Sequence, residues 1–333
     1  MAQSPRLHVF FISLLSFFII SSYLIVFIKY YFFDHKVIKY NPINYNVINT
    51  SGDTNIPKTD TNIKKIKSDF INISSEMDEI FKENNFNRQS FLDKSYSNLV
   101  IFSSLPDDFS ELETIKKKDL FILVLLSVIF IENEKILDER KKILQWWTDT
   151  EGELIDRDFW PDWLKEISAK YNFKEKNIGN LLMSVDIVPP SLALAQAAVE
   201  SGWGSSRYAT SGNAVFGQRT FDEESGIIPK KREENEIFLV KKFSSISESA
   251  SSYIKNLNTH VAYEEFREAR KKIRMNGENF EGLFLVNFLK NYSERRQEYI
   301  KDIKEIINTN NFQDLDNIYD SKSLINQKLS KPK

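Results

Sequence analysis

Residues 189–207, PPSLALAQAAVESGWGSSR, have the composition of a closely packed helix with a defined start and end. Pro190 suits the first helical turn, where the missing backbone N–H has no helical partner to lose. Ala, Leu and Gln fill the interior, and Gly202 supplies the left-handed residue on which many helices end. The stretch therefore predicts a helix between Pro190 and Gly202, and its small side chains require close neighbours.

Glu200 stands on the last turn of this predicted helix. It shares one face with Ala193, Gln196 and Ala197 through the i, i+3/i+4 spacing. Apolar surroundings and the negative end of the helix both disfavour a charged carboxylate, so we expect the pKa of Glu200 to be raised. A carboxyl group that stays protonated near neutral pH suits the general acid of glycosidic cleavage. The alternative is an ordinary solvated glutamate at a helix end.

The composition of the 333-residue chain excludes several classes of function. A net charge of -2 gives no electrostatic reason to expect nucleic-acid binding. The absence of cysteine removes disulfides, thiol nucleophiles and cysteine-based metal sites. The 3 histidines are scattered and no HExxH spacing occurs, so we expect neither a metal site nor another cofactor.

An apolar stretch near the N-terminus predicts a membrane anchor. Leu7–Ile28 contains no Lys, Arg, Asp or Glu and is long enough to span a bilayer as a helix. No small-residue cleavage site follows it, which favours an uncleaved anchor over a removable signal peptide. Arg6 precedes the span and several lysines follow it, and this count weakly favours a cytoplasmic location for the rest of the chain.

Shifts in composition divide the remaining chain. We predict a membrane anchor at residues 1–33, a polar tether and linker at 34–104, a folded domain at 105–310 and a polar tail at 311–333. The apolar run Leu120–Ile131 is too short to span a membrane and predicts a buried core helix. Lys135–Trp147 has the periodicity of an amphipathic helix, and Ile237–Phe243 that of a strand. The fold class is therefore mainly α with a small β lobe.

Four segments of the chain resemble bacterial peptidoglycan glucosaminidases of the Bax type, which are akin to glycoside hydrolase family 73. The segments are Val188–Gly204, Asn213–Gln218, Asn256–Tyr263 and Tyr292–Arg295. The resemblance implies a lysozyme-like α+β domain, peptidoglycan glycan strands as the substrate, and Glu200 as the catalytic acid. Because peptidoglycan lies outside the cytoplasmic membrane, the resemblance also implies that the anchor crosses the membrane once and that the domain lies on the periplasmic or exterior side. This orientation is opposite to the one that the lysine count favours.

The same resemblance implies further contacts to the substrate, which we assign to Trp203, Asn213, Phe216, Gly217 and Tyr292. Asn and Phe residues of this kind also form turns and cores, and Tyr292 could equally pack the last helix. The chain departs from the family pattern at two positions. Arg219 stands where a Trp is expected, and Arg296 where a glycine commonly follows Tyr-Ser-Glu-Arg.

The resemblance also implies a second catalytic carboxylate in the β lobe, where the chain offers Glu233, Glu234 and Glu236. We favour Glu236 because it leads directly into the predicted strand. A separation of about 5–5.5 Å between the two carboxyl groups implies retention, and about 6.5–9.5 Å implies inversion. Assistance by the substrate's own 2-acetamido group is the alternative to a second carboxylate.

Together these features predict a membrane-anchored endo-β-N-acetylglucosaminidase. A lytic transglycosylase, which needs only one glutamate, and a non-catalytic wall-binding protein that retains the fold are the alternatives.

Overall fold

A computed structural model describes residues 63–66, 73–150, 155–229 and 238–319, which all fall within one unit of the chain, Thr59–Lys333. Helices dominate these ranges, as predicted. The predicted membrane anchor, Leu7–Ile28, lies outside the described residues. None of the helices inside the described ranges combines the length and the apolar character that a membrane span requires.

The α-helices of the described ranges are α1 (Ser74–Glu83), α2 (Arg88–Leu92), α3 (Thr114–Asp149), α4 (Asp162–Lys170), α5 (Ile178–Ser184), α6 (Pro190–Ser201), α7 (Arg207–Gly212), α8 (Ile246–Thr259), α9 (Glu264–Asn276), α10 (Gly282–Leu285) and α11 (Gln297–Thr309). The strands are β1 (Ile63–Ile66), β2 (Leu99–Phe102), β3 (Arg219–Thr220), β4 (Gly226–Ile227) and β5 (Leu239–Lys241).

Helix α6 lies at the centre of the fold. It packs against α3, α10, α11 and the 3₁₀ segment Phe312–Tyr319. Every residue of α6 is buried except Val199 and Glu200 on its last turn. Pro190 occupies the first turn and Gly202 ends the helix at φ 59° and ψ 47°, so both predicted ends are confirmed. Small side chains around the whole circumference allow neighbours on every side, as in other fully buried helices.

Asp316 caps the N-terminus of α6 from a distant part of the chain. Its Oδ1 accepts from the Ser191 N–H at 2.9 Å, and its Oδ2 accepts from the Ser191 hydroxyl at 2.6 Å. The same Oδ2 accepts from the Gly282 N–H at 2.9 Å, which ties α10 to the same point. Burial raises the pKa of Asp316 to about 6, although the hydrogen bonds from Ser191 and Gly282 oppose this shift.

The folded region extends beyond both predicted boundaries. At its C-terminal end, Phe312, Leu315 and Tyr319 are buried, so residues 312–319 belong to the domain and not to the predicted tail. Asp, Asn and Gln make this segment polar in composition, so it was assigned to the tail. The near-helical spacing of its three buried apolar side chains is easily missed in the sequence.

At the N-terminal end, residues 73–104 were predicted as linker, but they form α1, α2 and β2. Phe81, Phe86 and Phe91 are buried and meet one another at centroid distances of 5.5 and 5.8 Å. The prediction was wrong because isolated phenylalanines among polar residues show no clear periodicity in the sequence.

Helix α3 joins the two helices that the sequence predicted separately, Leu120–Ile131 and Lys135–Trp147, into one helix of 36 residues. The part of α3 that contains Leu120–Ile131 is mostly buried, which confirms the prediction that this apolar run forms a core helix. A three-stranded antiparallel sheet in the order β3-β5-β4 forms the predicted small β lobe. A separate parallel pair joins β1 and β2.

Buried arginines hold the segment that leads into α6. The guanidinium of Arg274 donates to both carboxylate oxygens of Asp186, and Arg140 lies 3.6 Å from the same carboxylate. Arg270 is 1% exposed and donates to the carbonyl oxygens of Asp186 and Ile187 at 3.1 and 2.8 Å. Burial alone would raise the pKa of Asp186, but the charges of Arg274 and Arg140 outweigh it and hold this pKa well below its usual range.

Candidate active site

Glu200 lies at the point where the buried helix α6 reaches the surface. Burial raises the pKa of its carboxyl group, while a hydrogen bond from Tyr299 and the charge of Arg219 lower it, and the net shift is upward. The direction agrees with the shift that the sequence predicts, and its main cause is desolvation. A carboxyl group with these neighbours keeps its proton to higher pH than a solvated glutamate, and its anion has two groups ready to stabilise it.

Gly217 lies directly against this carboxyl group. A methyl group in place of its Cα hydrogen would lie 2.6 Å from Oε2 of Glu200. The residue also has φ 62°, in the left-handed region that side chains rarely adopt. The structure therefore brings the predicted site residues Glu200 and Gly217 together, and glycine is required there for both its size and its conformation.

We expect Gly217→Ala to reduce kcat by about 10²-fold, because pushing the carboxyl group aside by about 1 Å misplaces the catalytic acid. The matched control is Gly202→Ala. Gly202 has a similar φ of 59°, but no described atom beyond its two chain neighbours lies within 4 Å of the position of an added methyl group. Both variants should lose a similar amount of stability in thermal unfolding, and only Gly217→Ala should lose activity. Equal activities would contradict this role of Gly217.

A chain of hydrogen bonds reaches Glu200 from inside the protein. The Tyr253 hydroxyl donates to Gln196 Oε1 at 2.6 Å, and Gln196 Nε2 donates to the Tyr299 hydroxyl oxygen at 2.9 Å. Since Tyr299 accepts from Gln196, its own proton is directed to the Glu200 carboxylate. Gln196 and Tyr253 are fully buried, so the direction of donation is set by protein groups.

Tyr299 was not predicted as a site residue. Two signals in the sequence indicate it in retrospect. Gln196 lies on the same face of α6 as Glu200, and a buried amide needs partners. Tyr299 also lies four residues after Arg295, where the last segment that carries the family resemblance ends.

We expect Tyr299→Phe to move the alkaline limb of the pH–kcat profile to higher pH. The tyrosine hydroxyl favours the ionised form of Glu200, so its removal raises the pKa of the acid, which must be protonated to act. The phenyl ring retains the stacking on Tyr292, whose centroid lies 5.5 Å away. A limb that stays in place or moves to lower pH would contradict the hydrogen bond from Tyr299 to Glu200.

Tyr292 and Phe216 support the loop that carries Gly217. The Tyr292 hydroxyl donates to the carbonyl oxygen of Phe216 at 3.0 Å. The Phe216 ring is 1% exposed and stacks on Tyr253 at a centroid distance of 4.0 Å. Because its side chain is buried, the predicted substrate contact of Phe216 could involve only its backbone. Tyr292 is partly exposed, and its contact with substrate stays a prediction.

Trp203 and Asn213 shape the ends of short elements. The Trp203 ring packs against Phe121 and Phe312 at centroid distances of 5.9 and 6.4 Å, which ties the end of α6 to the core. Asn213 ends α7 in a left-handed conformation, and its Nδ2 donates to the Phe243 carbonyl at 3.1 Å. Its buried Oδ1 has no hydrogen-bond partner among the described residues. Substrate binding by either residue stays a prediction.

The two departures from the family pattern are accommodated differently. Arg296 adopts φ 44° at the start of α11, so the turn is retained although a glycine would form it with less strain. The Arg219 guanidinium lies over the ring of Phe238 at 3.9 Å and 3.7 Å from Glu294. The three candidates for the second carboxylate, Glu233, Glu234 and Glu236, lie outside the described residues.

Within the described ranges, no group of three or more His, Asp or Glu side chains is arranged to hold a metal ion. The described groups around the Glu200 carboxyl group are the Tyr299 hydroxyl, Gly217 and the charge of Arg219.

Comparisons with known proteins cover the region of the candidate site. A family model described as Glucosaminidase (mannosyl-glycoprotein endo-beta-N-acetylglucosaminidase) matches residues 180–312, which include every described residue of the candidate site. Protein bax from Escherichia coli (strain K12) is 31% identical over 199 residues, which cover 59% of this chain and 71% of that protein. The comparison with solved structures finds no match. The chain therefore belongs to the Bax-type glucosaminidases, a family whose domain implies glycosidase activity.

Proposed function

We propose that this protein is a membrane-anchored peptidoglycan hydrolase that cleaves the β-1,4 bond after N-acetylglucosamine, with Glu200 as the general acid. One observation carries the proposal. The Glu200 carboxyl group reaches the surface from a buried helix, its pKa is raised by burial, and Tyr299 and Gly217 fix its position. A lysozyme-like arrangement, with this glutamate facing the small β lobe, belongs to the same proposal.

In the proposed reaction, Glu200 donates its proton to the glycosidic oxygen as the bond between this oxygen and the anomeric carbon breaks. The resulting carboxylate is stabilised by the hydrogen bond from the Tyr299 hydroxyl. Water then adds to the anomeric carbon, and its second proton returns to Glu200. A β-lobe glutamate, of which we favour Glu236, or the substrate acetamido group stabilises the positive anomeric carbon.

The membrane anchor and the location of the domain are part of the proposal. The uncharged stretch Leu7–Ile28 supports a single-pass anchor in the inner or cytoplasmic membrane. The substrate supports a domain on the periplasmic or exterior side. A reporter fused after the last residue should be active only outside the cytoplasm, and an active cytoplasmic reporter would contradict this orientation.

The cleavage products test the proposed reaction. Full-length protein in detergent should release glycan fragments from purified peptidoglycan, with N-acetylglucosamine at the reducing ends in mass spectra after borohydride reduction. Anhydro-muramyl ends would instead show a lytic transglycosylase. The absence of any fragments under conditions in which the protein binds the glycan would show a non-catalytic wall-binding protein.

A further inference from the structure

Arg219 stands at a fixed position beside the candidate acid. It begins strand β3, where it pairs with Val240 of β5, and it follows Gly217 by two residues. Since Gly217 touches the Glu200 carboxyl group, the backbone places the arginine at the rim of the same site. The family resemblance led us to expect a Trp at this position, and the chain carries an arginine there.

The guanidinium of Arg219 is held in place and still accessible. Its central carbon lies 3.9 Å from the ring centroid of Phe238, a stacking geometry that arginine adopts on aromatic rings. Its side chain remains 49% exposed. The stacking restricts its rotamers, so less entropy is lost when a ligand binds to its N–H groups.

Among the described residues, the acidic partner of Arg219 is held weakly. Glu294 lies 3.7 Å from the guanidinium, and its side chain is 90% exposed. Exposed pairs of this kind contribute little to stability, so an incoming carboxylate can replace Glu294 at little cost. A bidentate contact between a carboxylate and arginine is stronger than this pair.

We propose that Arg219 is a specificity-determining residue that binds a carboxylate of the substrate on the leaving-group side of the scissile bond. The inference rests on the proposed function. Cleavage after N-acetylglucosamine leaves a muramyl sugar as the leaving group, and that unit bears the carboxylates of peptidoglycan. The carboxylate belongs to the lactyl group where a muramyl unit carries no peptide, and to the peptide where one is attached. Both carboxylates offer the same planar acceptor.

Binding of a carboxylate would also affect the acid. The charge of Arg219 lowers the pKa of Glu200, which opposes the protonated form that the first step needs. A substrate carboxylate neutralises this charge and excludes water from the site, so the acid is favoured in its protonated form when the correct glycan is bound. A neutral glycan would leave the charge uncompensated.

Calorimetric binding to a full-length, catalytically impaired Glu200→Gln protein tests the proposal. Three ligands are compared: oligosaccharides of N-acetylglucosamine, which are neutral, glycan fragments with free lactyl groups, and fragments that carry the peptide. Adding Arg219→Gln should weaken binding of at least one anionic ligand by about 10- to 100-fold, the range expected for a lost charge-assisted hydrogen bond. Binding of the neutral ligand should change by less than twofold.

The pattern of losses identifies the carboxylate. A loss for the fragments with free lactyl groups assigns the contact to the lactyl carboxylate, and a loss for the peptide-bearing fragments alone assigns it to the peptide. Arg219→Lys should restore part of the affinity, because it keeps the charge and loses the planar, stacked contact. Binding of the neutral ligand also shows that the doubly substituted protein is folded.

Three results would overturn the proposal. Equal losses for neutral and anionic ligands, or no loss for any ligand, would remove Arg219 from substrate selection and leave the proposed reaction intact. Failure of Glu200→Gln to bind any of the three glycans would overturn the proposed function together with this inference.

Discussion

Replacing Glu200 by Gln is expected to reduce the rate of glycan cleavage by about 10²–10⁴-fold, the usual contribution of a general acid. Glutamine has nearly the same shape and still accepts the hydrogen bond from Tyr299, but it has no proton to give to the glycosidic oxygen. Zymograms and product analysis on full-length protein measure the loss. The fold should be unchanged in thermal unfolding, because the substitution removes a partly desolvated carboxyl group without creating a cavity.

Glu305→Gln is the matched control for this experiment. Glu305 is an exposed glutamate on α11, the helix that also carries Tyr299. Its substitution should leave the cleavage rate within about twofold, since exposed substitutions away from special features have small effects. Undiminished cleavage by Glu200→Gln would remove this residue from the mechanism, and the β-lobe glutamates would become the candidates for the acid.

Replacing Asp186 by Asn is expected to lower the free energy of unfolding by about 3–5 kcal/mol, the usual cost of leaving buried charges without their partner. The substitution keeps the side-chain volume but removes the negative charge that Arg140, Arg270 and Arg274 share. Because these arginines hold the segment before α6, the loss should extend to the whole domain. Urea unfolding of both proteins measures the difference.

The exposed pair between Arg295 and Asp302 provides the control for Asp186. Asp302→Asn should change the unfolding free energy by less than about 1 kcal/mol. The two substitutions also differ in pH dependence. The folded-state pKa of Asp186 is depressed, so its contribution is complete above about pH 4, the ordinary pKa of aspartate, and decreases as the pH falls towards the folded value. If Asp186→Asn lowers the unfolding free energy at neutral pH as little as Asp302→Asn does, the backbone carbonyl groups alone are sufficient to compensate the buried arginine charges.

Helix α6 could be predicted from the sequence because each of its signals is local. Pro190, the run of small residues and Gly202 act within a few residues of their own positions, and the predicted ends agree with the structure. The raised pKa of Glu200 could be predicted for a similar reason. A carboxyl group at the end of a helix that must be buried is desolvated whatever its neighbours are.

The partners of Glu200 were harder to predict because they come from distant parts of the chain. Tyr299 reaches the site through the packing of α11 on α6, which no local pattern encodes. Phe216 and Trp203 show the opposite problem. Aromatic residues in a motif that resembles a glycosidase suggest sugar contacts, but the Phe216 ring is fully buried, and Trp203, although partly exposed, packs on Phe121 and Phe312. An aromatic residue that packs in the core and one that contacts a sugar look alike in the sequence.

The cap on α6 has a consequence for biosynthesis. The N-terminus of the helix that bears Glu200 obtains its acceptor from Asp316, 125 residues after Ser191. A nascent chain that has not yet emerged from the ribosome as far as Asp316 leaves these N–H groups uncapped and lacks the 3₁₀ segment that packs on α6. The acid therefore reaches its final position only after nearly the whole domain has been synthesised, and a truncated product would carry Glu200 without the support that orients it.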